Sequence, residues 1–174
     1  MSLTKALSKL INEALIFAIE KHSGQTRKYT GHPYIFHPIS VAMIVMETPD
    51  HTDEMVVAAL LHDVVEDCGV LPEEVGARFG LGVQDLVYWL TDIAKPEDGN
   101  RAERKAIERE KWARCDRPGA KTVKLADLLD NTSSILARDP KFATVYLEEK
   151  RLMLPLLDGG DAGLLERARK TIGL

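Results

Sequence analysis

The chain reads as an all-α protein, a single compact bundle of roughly eight to ten short helices. Three observations predict this. Apolar residues recur at spacings of three and four along most of the 174 residues. No stretch combines two-residue alternation with hairpin turns. Short breaks rich in Gly, Pro and Asp separate the periodic stretches. One domain is expected over residues 1–174, because this length carries one sizeable core rather than two.

The elements follow in order. Residues 4–22 place Leu7, Leu10, Ile11, Ala14, Leu15 and Ala18 on one helical face. The polar, glycine-containing stretch "HSGQTRKYTGHPY" interrupts them, and Pro38 begins a second apolar helix, "PISVAMIVME". "TPDHTD" is a break in which Thr52 or Asp53 is positioned to cap a helix over 54–68. "LPEEVGARFG" predicts a short amphipathic helix, and residues 83–94 another. After "KPEDGN" come a charged helix over 101–114 and the turn "DRPGA". Then follow "KTVKLADLLDNTSSILA", a helix opened by Pro140, and a last helix over 161–172 that packs on the rest. No internal repeat or low-complexity run breaks the pattern.

Composition excludes several classes. Hydrophobic residues at 45% and charged residues at 29% predict a folded protein. A net charge of −4 argues against a nucleic-acid coat. The apolar run "ALIFAI" is far short of the roughly 20 residues a membrane span needs, and the N-terminus lacks a signal-peptide pattern. Two cysteines, Cys68 and Cys115, form no metal or disulfide spacing. A cytoplasmic protein with no nucleic-acid or membrane partner is expected.

Ionisable residues stand where an apolar helix is predicted. "AALLHDVVEDC" carries His62, Asp63, Glu66 and Asp67. In one continuous helix over 54–68, His62 stacks above Glu66 and Asp63 above Asp67. Three acids then lie near the helix C-terminus, which the dipole disfavours and a divalent cation would relieve. Asp127 lies in the apolar run "VKLADLLDNT", where pairing with Lys124 one turn earlier is the competing explanation. His37 precedes Pro38 at a helix start, whereas His22, His32 and His51 read as ordinary loop or surface residues. His37, His62, Asp63 and Asp127 make a mixed nitrogen and oxygen set that suits Mn²⁺, Fe²⁺ or Zn²⁺. Spacing alone does not make all four converge.

"HD" followed by "VVED" resembles the HD-domain metal-dependent phosphohydrolases. "GQTRKYTGHPYIFHP", "AALLHDVVED" and "VKLADLLDN" occur in the order found in the hydrolase domain of RelA/SpoT-type enzymes and their small stand-alone relatives of the metazoan SpoT homologue type. The resemblance covers about residues 5–150. It implies that His37, His62, Asp63 and Asp127 bind the metal, usually Mn²⁺ with other divalent transition metals possible. It implies that Glu66 and Asp67 are the catalytic acids that orient and activate water. It places Arg27 and Lys28 on the loop facing a phosphorylated nucleotide, and Asn131, Tyr146, Arg101, Arg104 and Lys105 among its contacts.

The implied reaction is the release of pyrophosphate from the 3′ position of ppGpp or pppGpp. The helix "NRAERKAIEREK" also reads as a salt-laced surface helix, with Glu103, Glu108 and Glu110 beside its basic residues. Cys68 reads as a small buried residue. The sequence departs from the family at Leu128, where a basic residue usually follows the metal-binding aspartate, and at Asp130, an added acid before Asn131. That departure keeps open another nucleotide substrate: a nucleoside monophosphate, a dinucleotide cofactor or a different alarmone. A non-catalytic nucleotide-binding module is the third reading. Oligomeric state is left open.

Overall fold

A computed structural model describes the backbone of residues 3–174 and the side chains from residue 9 onward. Among the described residues the secondary structure is α-helical, with two short 3-10 turns and a single isolated bridge, Thr26 with Pro33. The backbone divides into two units, Met1–Thr91 and Asp92–Leu174.

The first unit holds α1 (Leu3–Lys21), α2 (Phe36–Met46), α3 (Asp53–Leu61), α4 (Val64–Cys68), α5 (Pro72–Phe79) and α6 (Leu81–Leu90). Its centre is α3. Every residue from Met55 to Leu61 is buried, so this helix is apolar all round and is wrapped by α1, α2 and α6. Thr52 caps it by accepting from the Met55 amide at 3.3 Å, with Asp53 and Glu54 in the first turn. On α1 the buried stripe is Ala14, Phe17 and Ala18, while Leu10, Ile11 and Leu15 are half-buried. The Leu7 side chain lies outside the described residues. Gly69, at φ +67°, ends α4 in the left-handed conformation that a side chain disfavours.

The expected helix over 54–68 is two helices. α3 stops at Leu61, His62 and Asp63 form the joint, and α4 starts at Val64. Glu66 and Asp67 consequently stand in the first turn of α4 rather than at the end of a long helix. The dipole penalty expected from the sequence is thereby removed.

The second unit holds α7 (Arg101–Trp112), α8 (Pro118–Arg138), α9 (Pro140–Met153) and α10 (Ala162–Thr171), with 3-10 turns at Pro96–Asp98 and Leu154–Leu157. Asn100 and Glu103 form a capping box on α7, and Asp161 caps α10. α8 packs against α9, α10 and the Leu154–Leu157 turn, and Val123, Leu125, Ala126, Leu154, Leu157, Leu164 and Ala168 are buried in this unit. The helix α7 is not wholly a surface helix. Glu108 is 1% exposed, and its Oε1 accepts the Ile93 and Ala94 amides at 2.7 Å each, so a buried carboxylate holds the preceding loop.

Candidate metal centre

The first unit brings three of the expected ligands together. Suitable donor atoms of His37, His62 and Asp63 all lie within 4.8 Å of one another. His37 enters from the first turn of α2, and His62 and Asp63 come from the α3–α4 joint. His62 Nε2 lies 3.3 Å from His37 Nε2 and 2.9 Å from Asp63 Oδ2, and His37 Nε2 lies 3.7 Å from that same oxygen. Both imidazoles are buried.

The protonation pattern favours a cation. His62 Nδ1 is 2.8 Å from the Ala59 carbonyl, an acceptor, which places the ring proton on Nδ1. Nε2 is then a lone pair, and it faces a carboxylate oxygen at 2.9 Å. Two Lewis bases at that distance repel until a proton or a metal cation lies between them. The Ala59 contact is also the outer-shell hydrogen bond that ordinarily fixes the tautomer of a metal-binding histidine. The residues present therefore fit a divalent transition metal held by imidazole nitrogen and carboxylate oxygen.

Around this cluster stands a group of residues that the sequence hides. Tyr34 donates its hydroxyl to Asp63 Oδ2 at 2.6 Å. His22, expected to be an ordinary loop or surface residue, is 3% exposed and lies against the Tyr34 ring with centroids 4.8 Å apart. His22 Nδ1 contacts Gln25 Oε1 at 2.7 Å and Cys68 Sγ at 3.3 Å. Gln25 in turn donates to the Asp67 carbonyl at 3.3 Å. A histidine two residues before a glycine in a polar stretch gives no periodic signal, so only the fold reveals its burial. Cys68 is half-buried rather than enclosed, and burial, with Asp67 nearby, raises its thiol pKa.

Glu66 and Asp67 on α4 keep much of their surface exposed, although the Asp67 carboxyl is partly buried. Burial of its carboxyl, followed by the neighbouring Asp63, pushes Asp67 above the usual carboxylate value, while His22, the Tyr34 hydroxyl and His62 oppose the rise. Arg27 and Lys28 lie on the loop pinned by the Arg27–His32 backbone bond and the Thr26–Pro33 bridge. Lys28 is exposed and lies over the Tyr29 ring at 5.1 Å.

The remaining expected site residues belong to the second unit. Asp127 is buried on α8, with Oδ2 on Lys124 Nζ at 3.0 Å and Oδ1 accepting from Asn131 Nδ2 at 2.5 Å. The expected Lys124 pairing thus forms, and Asn131 serves the aspartate one turn before it. Arg101 makes a two-pronged ion pair with Glu149, at 2.6 and 2.9 Å, and Lys105 pairs with Asp92 at 2.7 Å. Arg104 is half-buried. Tyr146 is 6% exposed, with its hydroxyl 3.4 Å from Thr132 Oγ1, and burial raises its pKa strongly. Leu128 is buried and Asp130 half-buried.

Residues 14–152 match the HD domain family, and the chain belongs to it. It is an HD-domain protein related to the SpoT hydrolase domain and to the metazoan SpoT homologues. It is 40% identical over 151 residues to a guanosine-3′,5′-bis(diphosphate) 3′-pyrophosphohydrolase of Aquifex aeolicus, which covers 84% of this chain and 21% of that enzyme. It is 41% identical over 134 residues to the Xenopus tropicalis guanosine-3′,5′-bis(diphosphate) 3′-pyrophosphohydrolase MESH1, covering 76% of this chain and 73% of that protein. The chain therefore spans about a fifth of the bacterial enzyme and about three quarters of the frog protein. A solved structure of a metazoan ortholog of SpoT, described as hydrolysing ppGpp and acting in starvation responses, superposes with a TM-score of 0.83 at 32% identity over 94% of each chain. Among the described residues no helix is long and apolar enough to cross a membrane.

Proposed function

We propose that this protein is a metal-dependent phosphohydrolase that cleaves the 3′-diphosphate of ppGpp or pppGpp and releases pyrophosphate. The observation that carries the reading is the gathering of donor atoms of His37, His62 and Asp63 within 4.8 Å of one another. The relatives named for this reaction supply the substrate. We assign Mn²⁺ to the site, with Asp127 as a further ligand on the strength of the "VKLADLLDN" motif. When bound, the cation supplies Lewis acidity, which acidifies a water and polarises a phosphoryl oxygen.

The chain's own residues do the rest. Glu66 and Asp67 orient the water and take up its proton. The water oxygen bonds to the phosphorus attached to the 3′-oxygen. That P–O bond breaks, the 3′-oxygen gains a proton, and pyrophosphate leaves a nucleoside 5′-diphosphate or 5′-triphosphate. Arg27 and Lys28 hold the phosphate oxygens on which charge develops. Asn131, Arg101, Arg104, Lys105 and Tyr146 are the nucleotide contacts of this reading. Arg101 and Lys105 must then share their present carboxylates with the substrate.

Purified protein supplied with Mn²⁺ is expected to release pyrophosphate from ppGpp, and Asp67→Asn is expected to lower kcat by about 10²–10⁴-fold. Absence of pyrophosphate release by metal-loaded protein overturns the reading. The second reading, hydrolysis of another phosphorylated nucleotide, draws on Leu128 and Asp130, which replace a basic group by an apolar one and add an acid. Faster turnover of a non-guanine nucleotide in the same assay favours it.

A further inference from the structure

The α3–α4 joint is held from outside by one side chain whose part in the site no motif assigns. Tyr34 lies three residues before His37, in the loop rather than in a helix. Both of its backbone groups are fixed: its amide donates to the Gln25 carbonyl at 2.9 Å, and its carbonyl accepts from the His37 amide at 2.8 Å. Its ring is set between two histidines, with His22 tilted against it at 4.8 Å and His37 edge-on at 5.8 Å. A ring fixed in this way loses little further entropy when its hydroxyl bonds.

The hydroxyl donates at 2.6 Å to Asp63 Oδ2, the oxygen that faces both imidazoles. It also lies on the side of Asp67, whose charged form it favours. One phenol therefore holds a carboxylate of the ligand cluster. A phenol carries a single proton. That proton goes to Asp63, and the bond fixes the Oδ2 rotamer.

We propose that Tyr34 is a positioning residue: it aims Asp63 Oδ2 at the metal. This rests on the metal reading given above. Outer-shell partners of metal ligands act in this way, and losing one commonly costs about 10- to 100-fold in metal affinity or activity.

Tyr34→Phe removes the hydroxyl and keeps the ring between His22 and His37. The test titrates Mn²⁺ into metal-free wild type and variant by calorimetry, and records the melting temperature of each without metal. The expected result is Mn²⁺ affinity weakened about 10- to 100-fold, with the metal-free melting temperature nearly unchanged and a lower kcat at saturating Mn²⁺. Tyr34→Leu, which also removes the ring, is expected to lower the metal-free melting temperature as well, separating packing from positioning. Equal Mn²⁺ affinity and equal kcat in wild type and Tyr34→Phe overturn the proposal and leave the metal reading intact. A lower melting temperature with unchanged affinity also overturns it, because Tyr34 is then structural only. Failure of the wild type itself to bind Mn²⁺ overturns both readings together.

Discussion

Two clusters of ionisable side chains, one in each unit, solve opposite problems. Around Asp63 the neighbours of the carboxylate are two imidazole nitrogens and a phenol. Around Asp92 they are ammonium groups: Lys105 at 2.7 Å, with Lys124 close enough to act on it. The consequence shows in two partly buried acids. Burial and Asp63 push Asp67 up. Burial alone would raise Asp92 too, but Lys124 and Lys105 overcome it and hold that carboxyl below its ordinary value. The second cluster carries its own counter-charges, and the first is built around a point where an added cation belongs. A count of charged residues does not separate the two, whereas the chemistry of the partners does.

The largest expected effect attacks the first cluster. Asp63→Ala removes the oxygen on which both histidines converge. Activity is expected to fall by more than the roughly 10- to 100-fold cost of losing an outer-shell partner. Chelator treatment of the wild type is expected to abolish activity, and added Mn²⁺ to restore it. Full activity after exhaustive chelation, verified by metal analysis, would break the comparison, since the first cluster would then need no cation.

A smaller effect is expected in the second cluster, and it appears in stability. Asp92→Asn leaves Lys105 and Lys124 without their shared carboxylate. The loss is expected between that of exposed and buried pairs, about 1–3 kcal/mol at neutral pH. The sign with pH follows from the depressed folded pKa. The contribution is present above the unfolded carboxylate value and is lost as pH falls through the folded one. The melting curves of wild type and variant should therefore converge in acid. A gap that persists unchanged below about pH 3 would mean that Asp92 acts through something other than its charge.

How much of this was legible in the sequence differs between levels. Helix content and most breaks follow from apolar spacing and from Pro72, Pro118 and Pro140, each at the start of its helix. The break at His62–Asp63 has no such sign, because "AALLHDVVED" contains neither Gly nor Pro. It coincides with one local bond, the His62 ring on the Ala59 carbonyl three residues earlier, and one tertiary bond, Tyr34 on Asp63. His37, His62 and Asp63 could be named because histidine and acid in apolar helices are rare. Tyr34 and His22 could not, since their roles exist only once the loop is folded onto α4. Glu108 was hidden for a related reason. A glutamate among lysines and arginines looks solvated, and only the loop amides above it explain its burial.

The smallest effect sharpens the second cluster from within. Lys150 shares a pocket with Asp92, Lys105, Lys124 and Glu149, and its ammonium lies over the Tyr146 ring at 4.6 Å. Burial, with Lys124 adding repulsion, lowers its pKa to about 8. The folded state then releases this proton at a lower pH than the unfolded chain, whose lysine titrates near 10.4. Between those values the unfolded state binds more protons, so stability rises with pH across that window. Replacing Lys150 by Met removes the buried charge. Any advantage of the variant over wild type is expected to be greatest near pH 7 and to shrink as pH rises from about 8 toward 10. Denaturant midpoints measured at three pH values decide it. A difference that stays constant over that range would show that the Lys150 charge is fully compensated, and that the second cluster is balanced at every member.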